Sequence, residues 1–545
     1  MNFLPINTLA AHRTNWLRDK ADAPFFSLGR GPDGLLCRGL ENCLLGTPIA
    51  PAEGEGSEGL FAGWTYAEGR LDAFTDPLGF FSLFYCVDGD RAMVSPSILQ
   101  LLANGAAPEP DQRALGVFYR LGLFVNDDTP FRHIKVLPPG GRLVWQDGRF
   151  SVSGAAFVPK EQPISRDAAV DGIIELTRES LHNIRAAWPG DMVLPLSGGR
   201  DSRHILLELH HQGAPPERCM TFQHAAGRHL SADSQAARAI CRELGVAHEV
   251  LGPLRTRPHD IIRTLVLTSL CSDEHKQMLP LHDHLRGISG AALDGIAGDI
   301  LTNPDDDAEG HFCRAQNGDF EGIARVMMHG HSRALSRNGR RLNIGEILDP
   351  GGEERTLDYL AQTIAGFAEA ADPYQAFWFW NRTRREIGFV TSALFATAPA
   401  VFCPFLDLRF VSFCLSLPYS VTRDQQLHND ALARAYPETA TVPYDDAFAG
   451  PTPSGPRLRH IQARMKTAVA GVRLINTLSR DRGAKHVRDY LCGSPVLNRA
   501  HAEVLQFYDL ALHTVQTGGA ADLMAMAGRF AQAAPTGLVT SRWQP

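Results

Sequence analysis

None of the ten cysteines is paired with another at C-x-x-C spacing. That excludes the common zinc and thiol-redox motifs, and several cysteines sit in apolar runs, as buried reduced thiols do. No apolar run reaches the roughly 18 residues of a membrane span. The opening segment Met1-Asn2-Phe3-Leu4-Pro5-Ile6-Asn7 has neither the basic stretch nor the apolar core of a secretory signal. No charge dominates: 53 Lys and Arg stand against 60 Asp and Glu, a net charge of -7. Nucleic-acid binders usually carry a basic patch, so no nucleic-acid partner is expected, and no membrane partner either. No internal repeat is visible. What is there is a chain of 545 residues, 44% apolar, with room for two or three domains. The expectation is a cytoplasmic enzyme.

Residues 1-158 read as β-rich. Short apolar runs (Gly59-Trp64, Gly79-Val87, Arg142-Trp145) alternate with turn signals at Asp88-Gly89-Asp90, Pro138-Pro139-Gly140-Gly141 and Asp147-Gly148. Pro159 to Ser165 reads as a linker. Val170, Ile173, Ile174, Thr177, Leu181, Ile184 and Trp188 then follow helical spacing. Strands are expected at Met192-Leu196, Cys219-Gln223 and His248-Leu251, with a helix at Asp233-Leu244. That βαβαβ order predicts a doubly wound parallel sheet, with ligands at the carboxyl ends of its strands. Beyond about residue 260 helices dominate. An acidic loop is expected at 303-310 and a Gly/Pro-rich stretch at 448-456.

The most informative segment is Leu196-Ser197-Gly198-Gly199-Arg200-Asp201-Ser202, between the first of these strands and a helix running from Arg203 to His211. Two glycines let the backbone approach a phosphate, and a helix N-terminus offers free N–H groups and a positive dipole end. Ser197 and Ser202 add hydroxyls. Asp201 can hold a Mg²⁺ ion. The Gly-Lys-Ser/Thr ending of a Walker loop is missing. The segment resembles the Ser-Gly-Gly-x-Asp-Ser loop of ATP pyrophosphatases, which split ATP into AMP and pyrophosphate. A Gly-rich turn without a ligand is the plainer alternative.

Three further segments extend the resemblance. They are Asp294-Gly295-Ile296-Ala297-Gly298-Asp299, Cys403-Pro404-Phe405-Leu406-Asp407, and Asp76-Pro77-Leu78-Gly79 followed by Ile134-Lys135-Val136-Leu137-Pro138-Pro139-Gly140. In this order, over about residues 70-440, the chain resembles the asparagine synthetase family. The resemblance implies a mixed α/β and α+β chain. Residues 1-158 would be a glutaminase-like β-sandwich of the N-terminal-nucleophile (Ntn) type. Residues 165-545 would be an ATP-pyrophosphatase domain (adenine nucleotide α-hydrolase-like), a doubly wound parallel sheet with a helical extension. It also implies ATP and Mg²⁺ as cofactors, with Asp201 and Asp299 as metal ligands. Leu196, Ser197, Gly198, Gly199, Asp201, Ser202, Gly295 and Gly298 would form the nucleotide site.

Departures from the family pattern narrow the expected function. A working glutaminase of this family has a cysteine after the initiator methionine; here that residue is Asn2, so glutamine is not the expected nitrogen source. Ile296 stands where asparagine synthetases carry a Glu. Relatives place a Lys within about ten residues of a Leu-Pro; its counterpart here is Tyr436-Pro437, and Glu438 to Phe448 contains no Lys or Arg. These losses point to the branch that closes amides within one substrate: β-lactam synthetases, carbapenam synthetase and lasso-peptide macrolactam cyclases. The implied chemistry begins with a carboxylate attacking the α-phosphorus of ATP. An amine then attacks the acyl-adenylate and AMP leaves, which requires a general base.

Glu386 is the candidate base, against a plainer reading as a surface helix residue paired with Arg382. Arg382, Arg384, Arg385 and Lys276 are candidates for the missing cation. Asp233 reads as either a family acidic residue or an N-cap. His248 matches the family position or is a strand-end histidine. His210, His211, His282 and His284 read as surface residues. The expected partner is a small-molecule or peptide carboxylate substrate. A leader-peptide-binding protein or a protease joins it if the enzyme is a lasso cyclase. The alternatives are an asparagine synthetase-like enzyme using ammonia or another small amine, and a non-catalytic ATP-binding scaffold.

Overall fold

The computed structural model describes residues 16–19, 22–31, 34–50, 57–223, 230–255, 257–303, 308–330, 334–337, 340–343, 345, 348–448, 503–532 and 539–544. Asn2, Cys492, part of the acidic loop and most of the Gly/Pro-rich stretch lie outside them.

Turn chemistry cuts the first half into short strands. Glu68-Gly69 and Asp147-Gly148 are two-residue loops with positive φ at both positions, the geometry that matches the twist of a tight hairpin. The strands are β1 Phe26–Gly31, β2 Gly34–Gly39, β3 Asn42–Ile49, β4 Glu58–Ala67, β5 Arg70–Thr75, β6 Phe84–Asp88, β7 Arg91–Ser95, β8 Ile134–Val136, β9 Arg142–Gln146 and β10 Arg149–Ser153. They form two antiparallel sheets, ordered β2-β1-β7-β6-β8 and β10-β9-β5-β4-β3. Phe26, Leu28 and Val94 of the first share one buried cluster with Trp64, Leu71 and Trp145 of the second. The sheets therefore face each other as a sandwich.

Ser165 caps the next helix, Arg166–Ala187, by accepting from Ala168 N at 3.2 Å. This helix buries the expected stripe from Val170 to Ile184. A second layer follows: β11 Met192–Pro195, β12 Arg218–Phe222, β13 His248–Leu251 and β14 Ala291–Leu293. Then come the hairpin β15 Ala334–Arg337 and β16 Arg340–Asn343, then β17 Val401–Phe402 and β18 Val539–Trp543. The sheet order is β17-β14-β11-β12-β13-β18. Its first five strands are parallel, and β18 adds antiparallel on β13. The chain winds outward one way through β11, β12 and β13, and the other way through β14 and β17. The order reverses between β11 and β14, which opens a crevice at their carboxyl ends.

The two layers share a core. Leu60, Leu78, Phe80 and Val117 of the first half belong to the same buried cluster as Leu194 of β11 and Leu293 of β14. Among the described residues every cysteine is a free thiol, and all but Cys37 and Cys313 are buried. No helix among them is long and apolar enough to cross a membrane.

Candidate functional site

The Ser197–Ser202 loop leaves β11 at the reversal point. Its backbone is held by its own side chains. Ser202 Oγ accepts from Ser197 N at 3.0 Å, and Ser197 Oγ accepts from Gly199 N at 3.2 Å. Gly198 N donates to Asp233 Oδ1 at 2.5 Å. Asp233 is therefore not the N-cap of its helix, a role taken by Ser231. It fastens the first turn of that helix to the loop. A Cβ on Gly198 would lie 2.6 Å from Asp445 Cβ, so only glycine fits there.

The loop after β14 closes against this one. Ala297 takes a left-handed backbone, φ 75°, and turns the chain into the short helix Gly298–Thr302. That places Asp299 N 2.9 Å from Asp201 Oδ2, as a donor. Gly295 and Gly298 make the approach possible. A Cβ on Gly295 would meet Ser202 N at 2.9 Å, and one on Gly298 would meet Asp201 Cγ at 2.7 Å. These two glycines are spacers between loops.

Between the loops lies a cleft of about 490 Å³, lined by Ser197, Gly199, Arg200, Asp201, Asp299, Asn429, Tyr444, Asp445 and Asp446. Asp299 accepts from Arg200 Nη1 at 3.3 Å and Asn303 Nδ2 at 2.9 Å. Asp201 Oδ1 is buried and has no hydrogen-bond donor. Burial, with Asp299 close by, pushes the Asp201 carboxyl up to about 8. Two facing carboxylates and an oxygen without a donor suit a hard divalent cation.

The stretch Glu438 to Phe448, which holds no Lys or Arg, does reach the cleft. Arg203, on the helix Arg200–His211, holds it there. Its guanidinium donates to Val442 O at 2.9 Å and Pro443 O at 2.8 Å, and sits 3.8 Å from the centre of the Tyr444 ring. Carboxylates of Asp445 and Asp446 thus form part of the cleft wall. Among the described residues the cation lining the cleft is Arg200, the variable residue of the loop. Sequence reasoning passed over it because that position is unconstrained in the motif.

Several other expectations are displaced. Arg385 is fully buried and points away, donating to Asn126 O at 2.6 Å and Asp128 O at 2.7 Å in the sandwich half. Arg384 also donates to Asn126 O, at 2.9 Å. Both clamp the two halves together, and Arg385 is not a cation of the cleft. Lys276 is half-buried in the turn Lys276–Met278 and does not line the cleft. His282 is buried, with Nδ1 3.0 Å from Leu394 O, and is not a surface residue. His248 is a buried strand residue, 2.9 Å from Thr221 Oγ1. His210 and His211 are exposed, as expected.

Glu386 is only 2% exposed, which overturns the surface-helix alternative. His275 Nε2 lies 2.7 Å from its Oε1, and Ser272 Oγ donates to Oε1 at 3.0 Å. Arg382 Nε is 3.9 Å from Oε2. Although burial opposes it, the pairing holds Glu386 below the usual carboxylate range and raises His275 above the usual imidazole range. Backbone strain gathers beside the pair: Ser269, Leu270 and His275 all have φ between 55° and 61°. The pair does not line the cleft. Its nearest link to it is Asp294, at the start of the second loop, which interacts electrostatically with His275.

The Pro404-Phe405-Leu406-Asp407 segment is a brace. Pro404 O accepts from Ser180 Oγ at 2.8 Å, and Asp407 caps the helix Leu408–Leu415. Asp76 is likewise structural, accepting from the amides of Leu78, Phe80 and Phe81.

No family model and no curated protein matches the chain. Among the solved structures that match, two illustrate the likeness. One is glutamine phosphoribosylpyrophosphate amidotransferase from B. subtilis, complexed with ADP and GMP. It shares 13% identity at a TM-score of 0.14, over 37% of this chain and 50% of that one. The other is described as the allosteric regulatory enzyme of purine biosynthesis, with 15% identity and a TM-score of 0.14, over 38% and 44%. This chain spans at most half the length of either. At such scores the likenesses carry no argument about reaction or substrate.

Proposed function

We propose that this chain is an ATP-dependent, AMP-forming amide ligase. It adenylates a substrate carboxylate and joins it to an amine of the same substrate, closing a lactam or macrolactam. One observation carries the reading. The Ser197–Ser202 loop and the Asp294–Asp299 loop meet where the parallel sheet reverses, with Asp201 and Asp299 in one cleft. Asp201 and Asp299 would hold Mg²⁺, which would supply charge neutralisation at the phosphates. Ser197, Gly199 and the helix N-terminus would bind pyrophosphate oxygens, their N–H groups exchanging an internal acceptor for a phosphate. Arg200 would carry the charge-stabilising role of the missing Lys.

The amine's proton is assigned to Glu386, acting with His275. Ion pairing keeps the carboxylate ionised, the form a base requires. An amine carried by the substrate agrees with the small cavities at the join of the two halves, about 50 and 30 Å³. The test is ATP turnover with Mg²⁺ against a panel of carboxylates. The panel includes peptides that carry both a free amino terminus and an acidic side chain, with ammonia and glutamine as competing amines. AMP and pyrophosphate are expected in equal amounts with a cyclised product. ADP as the stoichiometric product, or amidation by ammonia alone, overturns the reading.

A further inference from the structure

Beneath Asp201 lies a buried pair of imidazoles that the proposed reaction does not use. His204 belongs to the helix Arg200–His211 and His428 to the helix Leu427–Ala435. Both are fully buried. His204 Nδ1 is 3.0 Å from His428 Nε2. On the far side of the His428 ring, Nδ1 is 3.2 Å from Thr302 Oγ1 and 3.5 Å from Asp201 Oδ1. Phe405 walls the pair, its ring centre 5.8 Å from that of His204 and 5.9 Å from that of His428.

Proton positions along this row follow from donor and acceptor counting. The single hydroxyl proton of Thr302 is spent on Gly298 O at 2.7 Å. Thr302 Oγ1 therefore accepts, and His428 Nδ1 must carry the proton. His428 Nε2 is then a lone pair, so His204 Nδ1 donates to it. This leaves His204 Nε2 as a bare lone pair, and that atom is indeed buried without a partner. The opposite polarity would bury an N–H with no acceptor there, which costs more. It would also turn a lone pair of His428 toward the Asp201 carboxylate. One arrangement satisfies the row: the Nδ1–H of His428 donates to Thr302 Oγ1 and lies beside Asp201 Oδ1, a contact that at 3.5 Å is electrostatic and not a hydrogen bond.

We propose that His428, its tautomer fixed by His204 and Thr302, is the positioning residue for Asp201. It holds the carboxylate plane so that Oδ1 presents its open lone pair to a divalent cation, while the Asp299 amide holds Oδ2. This rests on the metal reading given above. Outer-shell partners of this kind typically change metal affinity about 10- to 100-fold when lost.

Asparagine places its amide nitrogen close to the position of imidazole Nδ1, and glutamine close to that of Nε2. Mn²⁺ binding, measured by electron paramagnetic resonance with a non-hydrolysable ATP analogue present, should be nearly unchanged in His428→Asn. It should be at least tenfold weaker in His428→Gln. Equal loss in both variants, or no loss in His428→Gln, overturns the proposal. No Mn²⁺ binding by the unsubstituted protein overturns the metal reading and the proposal with it. A second measurement is independent of variants: ¹⁵N spectra of histidine-labelled protein should show His428 protonated at Nδ1. A proton at Nε2 refutes the tautomer argument.

Discussion

Asp201 and Asp299 come from loops far apart in the chain, yet the amide of one is bonded to the carboxylate of the other. Replacing either with Asn should therefore disturb the same event. Pyrophosphate release should fall about 10³-fold, equivalent to about 4 kcal/mol of lost charge stabilisation. Near-normal release in either variant would remove that residue from the metal site. The Glu386–His275 pair makes a prediction about pH. His275 is raised above its ordinary 6.5, so its contribution is full below that value and fades as pH rises through the raised value. Glu386 is lowered below its ordinary 4.5, so its contribution is full above 4.5 and fades only as pH falls through the lowered value. The destabilisation in Glu386→Gln should then be greatest between about pH 4.5 and 6.5, near 3 kcal/mol, and shrink in alkali. Urea unfolding at several pH values reads this directly. A flat difference from pH 5 to 9 would show that the pair is not ionised together. At this scale the loop residues were legible because chemistry demands them at fixed spacing. Arg200 was not, because its position in the loop is unconstrained, and His204 and His428 were not, because no spacing rule links residues that meet only in three dimensions.

The helix that carries Glu386 shows why some element-level expectations failed. Trp378–Ile387 is a π-helix, and Gly388 N donates to Thr383 O, five residues back, at 2.8 Å. The i,i+4 contact between Arg382 and Glu386 does form, at 3.9 Å, but it reaches a buried carboxylate and not a surface one. The same turn directs Arg384 and Arg385 together at Asn126 O. Arg385→Ala should destabilise the protein by about 2 kcal/mol or more, by stripping buried carbonyls of a charged donor. Calorimetry checks it, and an unchanged melting profile would mean that the clamp is dispensable. The segment from Val442 to Phe448 packs as a strap over the Ser197–Ser202 loop. Gly198→Ala should push it off by the clash with Asp445, raising KM for ATP while leaving the melting temperature within a few degrees. An unaltered KM would show that the strap gives way freely.

At the scale of the whole chain, turn signals made a β-rich first half legible and βαβ order a parallel sheet, while the pairing of the first half into a sandwich was implied only by the family resemblance. The joining of the two halves was not legible. Nothing in the local pattern around Leu60, Phe80 and Val117 ties them to the second half, yet they share its buried cluster. Residues 165-545 expressed alone should therefore fail to unfold cooperatively, while the full chain should show a cooperative transition. A soluble, cooperatively melting fragment would contradict the shared core. Strand β18 was also invisible, since Val539–Trp543 carries no strong strand pattern and gains its place only by pairing with β13. That pairing has a consequence for biosynthesis. His248–Leu251 is a wholly buried strand, and its outer edge has no partner until residues near 543 have left the ribosome. At about 5–20 residues per second that is a delay of roughly 15 to 60 s. Throughout it the nascent chain offers an unpaired strand edge to any neighbour. Slower initiation or a holding chaperone should thus raise the soluble yield more than a tighter fold would.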